Sequence, residues 1–153
     1  MPELKDRLRT DLTTAMKARD ELRTATLRMV LSAVTAEEVA GQAARELTDD
    51  DVQAVLRREA KKRREAAEAF AGAGRAQQAE RERAEEGVLA AYLPAQLEDA
   101  DLAALVADVV TRTGAAGMKD MGRVMGAVQA DVAGRAEGGR VAGEVRRQLG
   151  QPG

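Results

Sequence analysis

Thr48-Asp49-Asp50-Asp51-Val52-Gln53-Ala54-Val55-Leu56-Arg57-Arg58-Glu59-Ala60 carries both the start signal and the period of an α-helix. Thr48 and Asp51 stand at the hydroxyl-x-x-carboxylate spacing of a capping box, in which each side chain accepts the other residue's backbone N–H. Val52, Val55 and Leu56 then recur at the spacing that places apolar groups on one helical face. The helix is expected to continue through a dense charged stretch to Phe70 and to break at Gly72 and Gly74.

The same period recurs on both sides. Leu4, Leu8, Leu12, Ala15 and Met16 form one stripe on a first helix that Pro2 can begin and that reaches about Arg19. A second helix from about Glu21 turns Leu22, Thr26, Met29, Val30, Ala33 and Val34 inward and fades at Gly41-Gln42-Ala43. A fourth runs from about Gln77 to Leu93 and stops before Pro94, because a proline disfavours helical backbone in the residue preceding it. Beyond Pro94-Ala95-Gln96-Leu97-Glu98-Asp99 the charge density falls and glycines multiply, and three short helices follow. Asp99 is expected to cap the first, which buries Leu102, Leu105, Val106, Val109 and Val110 and ends at Gly114. The second covers about Lys119 to Val132, with Met118, Met121, Val124, Met125 and Val128 apolar, and the third about Gly138 to Leu149 around Val141, Val145 and Leu149. The expected fold is all-α: an N-terminal domain of about four helices over residues 1–94, then a three-helix domain over residues 95–150.

Composition agrees with helices. The chain of 153 residues has 32 alanines, 14 valines and 14 leucines, no isoleucine or tryptophan, and one phenylalanine and one tyrosine. Small and medium side chains of this kind suit helix packing, whereas strands favour β-branched and aromatic residues. Cysteine and histidine are both absent, which removes disulfides, thiolate and imidazole chemistry, Ser-His-Asp triads and every cysteine- or histidine-ligated metal site. No catalytic residue, metal site or cofactor is expected. No apolar run approaches a membrane span and the charged N-terminus is no signal peptide, so a soluble cytoplasmic protein without membrane contact is the expectation.

Candidate RNA contacts come from charge and glycine. Residues 57–64 hold six cations against one anion, Glu59. On a helix Arg57, Lys61 and Arg64 share a side, with Arg58 and Lys62 adjoining. The stripe reads either as a solvated surface or as a track along phosphates, with Glu65 and Glu68 cancelling part of its field. In Lys119-Asp120-Met121-Gly122-Arg123-Val124-Met125-Gly126, two glycines four apart each cost roughly 1 kcal/mol against alanine inside a helix. They read either as close helix packing or as a smooth face open to an RNA backbone or a protein partner. Gly134-Arg135-Ala136-Glu137-Gly138-Gly139-Arg140 reads equally as a phosphate-receiving loop before a helix and as a tight corner. Tyr92-Leu93-Pro94 reads as an interdomain packing plug rather than as a catalytic tyrosine. Against nucleic-acid binding stand a net charge of -2, only two aromatic rings for base stacking, and seven basic against eight acidic residues after Pro94.

The ordered set Leu27-Arg28-Met29-Val30-Leu31-Ser32-Ala33-Val34, Lys62-Arg63-Arg64-Glu65, Ala73-Gly74-Arg75, Tyr92-Leu93-Pro94, Lys119-Asp120-Met121-Gly122-Arg123-Val124-Met125-Gly126 and Gly134-Arg135-Ala136-Glu137-Gly138 closely resembles the YqeY family, over nearly the whole chain. Two departures are mild: Ala66 stands where relatives often carry serine, and Glu137 where they often carry aspartate. The resemblance implies an all-helical protein whose C-terminal part is similar to the tail domain of the B subunit of the glutamyl-tRNA(Gln) and aspartyl-tRNA(Asn) amidotransferase. That tail helps hold tRNA, while transamidation resides elsewhere in the enzyme. The positions that would inherit its tRNA contacts are Lys119, Gly122, Arg123 and Gly126, with Gly134, Arg135 and Gly138. The resemblance and the basic stripe at Arg57, Arg58, Lys61, Lys62 and Arg64 make a non-catalytic tRNA-associated module the leading expectation. The alternatives are a protein-interaction adaptor and the group's label of carbon–nitrogen ligase with glutamine as amido-N-donor.

Overall fold

The computed structural model describes residues 3–150, so the expectation placed on Pro2 lies outside the described residues. The fold is all-α. Seven α-helices are present among the described residues: α1 (Glu3–Lys17), α2 (Glu21–Glu38), α3 (Asp49–Gly72), α4 (Ala76–Ala90), α5 (Asp99–Thr113), α6 (Met121–Val132) and α7 (Gly138–Gly150), with a 3-10 turn at Met118–Asp120 ahead of α6. None is long and apolar enough to cross a membrane. The chain divides into two compact units between Leu93 and Pro94.

The first unit is two helical hairpins around one core. Leu4 and Leu8 of α1, Leu27, Val30 and Val34 of α2, Val52, Val55 and Leu56 of α3, and Val88 and Leu89 of α4 meet there with Leu47 and Tyr92. Each hairpin turns on one left-handed residue. Gly74, at φ 77°, closes α3, where it meets no steric penalty. Arg19, at φ 56°, closes α1 and lets Asp20 donate its N–H back to Ala15 O at 2.9 Å. At the start of α3 the capping box forms in full: Asp51 N–H donates to Thr48 Oγ1 at 3.2 Å and Thr48 N–H to Asp51 Oδ2 at 3.0 Å. Asp49 extends it by accepting the N–H of Leu4 at 3.1 Å, so one acidic turn caps two helices.

The second unit is smaller. Leu102, Val106 and Val109 of α5, Val124, Val128 and Val132 of α6, and Val141, Val145 and Leu149 of α7 form its core with Leu97 and Ala136. Gly114 takes φ 67° and ends α5 as expected, its N–H returning to Val110 O and Thr111 O.

Several boundaries differ from the sequence expectation, for local reasons. The helix ending before Pro94 stops instead at Ala90, because Tyr92 and Leu93 tighten into i→i+3 hydrogen bonds with Leu89 and Ala90. Asp99 does not cap α5; that position falls to Glu98, and Asp99 pairs with Arg140 at 2.9 Å. The segment before Met121 is a 3-10 turn rather than the first turn of α6. Met29, read as inward, is 36% exposed, Met16 and Met118 of the apolar sets are 48% and 46% exposed, and the buried position on α2 that the reading lacked is Leu27.

Candidate nucleic-acid interface

The basic face of α3 is met by carboxylates of α2, of α4 and of α3 itself. Arg58 lies 3.6 Å from Glu37 of α2, Arg64 lies 3.8 Å from Glu86 of α4, Lys61 pairs with Glu65, and Lys62 lies 3.0 Å from Glu59. Arg57 alone of these five cations makes no side-chain hydrogen bond or ion pair among the described residues. Arg63, the sixth cation of the run, points inward, 7% exposed, between Glu59 of α3 and Glu85 of α4, and its guanidinium also contacts Met29 Sδ. Glu85 receives Arg81 as well, and Arg81 holds Glu21 of α2 through two hydrogen bonds of 2.7 and 3.0 Å. An ion network therefore runs from Glu21 through Arg81, Glu85, Arg63 and Glu59 to Lys62. The stripe presents far less free positive charge than its sequence suggests, because Glu37 of α2 and Glu86 of α4 join Glu59 and Glu65 of α3 itself as counter-charges.

In the second unit the glycine pair of α6 faces solvent. Val124, Val128 and Val132 are the buried side of that helix, and Gly122 and Gly126 stand on the exposed side. A Cβ built at either glycine would find no atom within 4 Å. Close helix packing therefore does not account for them; they leave two turns of backbone bare. Lys119 precedes this face, exposed and without a side-chain partner among the described residues. Arg123 lies beside it, 55% exposed at the side chain, donating to Thr113 O at 2.8 Å and to Asp120 Oδ1 at 3.0 Å. The Asp120 carboxyl is held below its ordinary range chiefly by the Ala116 N–H, and then by Arg123. Arg123 thus closes the C-terminal end of α5 while part of its guanidinium stays in water.

The corner between α6 and α7 is built as a clamp. Ala133 and Gly134 both take positive φ, 50° and 81°, and reverse the chain within two residues. Arg135 O accepts Leu97 N–H at 2.7 Å, Arg135 Nε donates to Ala95 O at 3.1 Å, and Arg140 donates to Leu97 O at 2.8 Å. Both arginines therefore fasten the segment that enters α5. Gly138, exposed, begins α7.

The family model described as Yqey-like protein matches residues 5–149. The chain belongs to the YqeY family. A search among curated proteins returns no match. The YqeY match takes in all three candidate regions, which the structure leaves in unlike states: a largely neutralised stripe, an open glycine face and a fastened corner. In the sequence Arg63 counts only among the six cations of residues 57–64, yet Val52, Leu56, Glu59, Arg63 and Ala67 continue one buried period along α3 of this YqeY chain. That period was the available signal. Among the described residues, no group of three or more acidic side chains is placed to hold a metal ion.

Proposed function

We propose that this YqeY chain is a non-catalytic tRNA-associated module that lays the face of residues 119–126 against an RNA backbone. The observation that carries the reading is the open side of α6. Two glycines stand where alanine would stabilise the helix and where no neighbour requires their smallness. A bare helix backbone admits a sugar-phosphate chain to a distance that a row of side chains prevents, and Lys119 and Arg123 supply positive charge beside it. Arg135, Gly134 and Gly138 border the reading as shape, since Arg135 is also a fastening residue. On α3, Arg57 is the cation without a partner among the described residues, and Arg58, Lys61, Lys62 and Arg64 would have to exchange carboxylates for phosphates. The similarity of this part of the chain to the amidotransferase tail supports tRNA as the RNA class.

Binding of fluorescently labelled total tRNA, followed by anisotropy at rising salt, tests the proposal. Lys119→Glu should weaken binding across all tRNAs and lower the salt slope by about one, the amount expected for one lost phosphate contact. Gly122→Leu with Gly126→Leu should weaken it while leaving the helix folded. Unchanged affinity in both variants would overturn the proposed face. The reading also expects no amide product when the protein is given glutamine, ATP and misacylated tRNA beside an intact amidotransferase.

A further inference from the structure

Where α1 turns into α2, Met16, Arg19, Glu21, Thr24, Ala25 and Arg28 line an open groove of about 390 Å³. Its apolar lining comes from Met16 and Ala25. Its cationic lining is Arg19 and Arg28, whose side chains make no hydrogen bond or ion pair among the described residues. The one acidic residue in the lining, Glu21, is already bound by Arg81 through both carboxylate oxygens. The groove is thus left with two uncompensated positive charges beside an exposed thioether.

Arg19 is itself informative. Its φ of 56° is a backbone state in which glycine is relaxed and a side chain costs of order 1 kcal/mol. Stability therefore does not explain an arginine there, because its side chain is answered by nothing among the described residues. Beyond the groove the same apolar character continues along α2. Ala25, Met29, Ala36 and the C-cap Val39, with the small polar Ser32 among them, follow one another at helical spacing, and from Met29 onward all are exposed, Val39 to 61%. Such a face fits a helix laid alongside it, and methionine adapts well to varied apolar partners. A phosphate backbone would satisfy the arginines but offers nothing to cover Met16, Met29 and Val39, and the groove has no ring on which a base could stack.

We propose that this groove docks an acidic amphipathic helix of a protein partner, its apolar side on Met16 and the exposed face of α2 and its carboxylates on Arg19 and Arg28. The site lies wholly within the first unit and shares no residue with the RNA reading, which uses α6 and the cations of α3.

The test is anisotropy of the full chain with a fluorescein-labelled amphipathic peptide carrying leucine on one face and glutamate on the other. Saturable binding is expected, weakened about tenfold or more by Arg19→Glu with Arg28→Glu, a change of about 1.4 kcal/mol. Met16→Asp should weaken it as well, a peptide with lysine in place of glutamate should not bind, and Lys119→Glu should leave binding unchanged. All these side chains are exposed, and circular dichroism of each variant verifies the fold. Absence of saturable binding to the wild-type chain would overturn the proposal, as would full affinity in the double arginine variant. So would labelled tRNA whose binding depends on Arg19 and Arg28 while the peptide fails to bind, which would make the groove a nucleic-acid contact.

Discussion

Arg63 lies one helical turn beyond Glu59 on α3, its Nη1 3.7 Å from Glu59 Oε1, and both residues are buried in the first unit. Opposite them Glu85 of α4 approaches Arg63 Nε to 3.4 Å, while that nitrogen makes no hydrogen bond of good geometry. A buried cation between two carboxylates gains little over a well-packed apolar layer, but removing it alone leaves two buried acids facing each other, each held only from its outer side by Lys62 or Arg81.

Arg63→Leu should therefore destabilise the chain by roughly 3–5 kcal/mol, a large share of the 5–15 kcal/mol typical of a folded domain. Replacing Glu59, Arg63 and Glu85 together by leucine or methionine should recover most of that loss. Urea unfolding of the wild type and both variants measures the difference. A mild Arg63→Leu would mean that Lys62 and Arg81 suffice to hold the two acids.

Gly122→Ala with Gly126→Ala should raise stability by roughly 1 kcal/mol per site, because each new methyl enters open space and alanine favours the helix. The same variant should bind tRNA less well if the bare backbone is the contact. Thermal unfolding and anisotropy on one preparation read both effects. A gain in stability with unchanged RNA affinity would leave the glycines without a binding role.

How much of this was legible beforehand follows from where the determining partners lie. The capping box of Thr48 and Asp51 and the left-handed stop at Gly114 were readable because both partners sit within one turn of sequence. Glu37, Glu85 and Glu86 were not readable as counter-charges to α3, since only the packing of α2 and α4 brings them there. The exposure of the α6 glycines was latent in the sequence: at about 100° per residue, Gly122 points roughly 200° away from Val124, across the helix from the valine stripe. Small residues four apart suggested packing, and the apolar period that contradicted it was already in view. Asp99 had the chemistry of a cap, but Arg140, far along the chain, takes its carboxylate.

Thr48→Ala should cost about 1 kcal/mol by leaving the N–H of Asp51 without its acceptor. Acid should act on the same turn. The carboxyl of Asp51 is held below its ordinary value, first by the Thr48 N–H and then by Arg45. Its stabilising contribution is thus present above the unfolded carboxyl's ordinary pKa and disappears as pH falls through the depressed folded value. Urea midpoints measured down an acid series should fall less steeply in Asp51→Asn than in the wild type, because the amide has no proton to take up.

At the alkaline end the reporter is Tyr92, the only tyrosine in the chain. Its ring is buried in the first unit's core, its hydroxyl donates to Asp11 Oδ2, and the Arg7 guanidinium lies 4.7 Å from the ring centroid. Burial, and then the hydrogen bond and charge of Asp11, push its pKa up to about 12. The unfolded chain releases this proton near pH 10, so between there and about 12 the folded state holds the extra proton. Stability present below pH 10 is accordingly lost as pH rises through that window, and Tyr92→Phe should flatten the loss. A titration of tyrosinate absorbance checks the assignment directly. Asp11→Asn should move the midpoint down toward the ordinary value, and a wild-type midpoint already near 10 would place the hydroxyl in water.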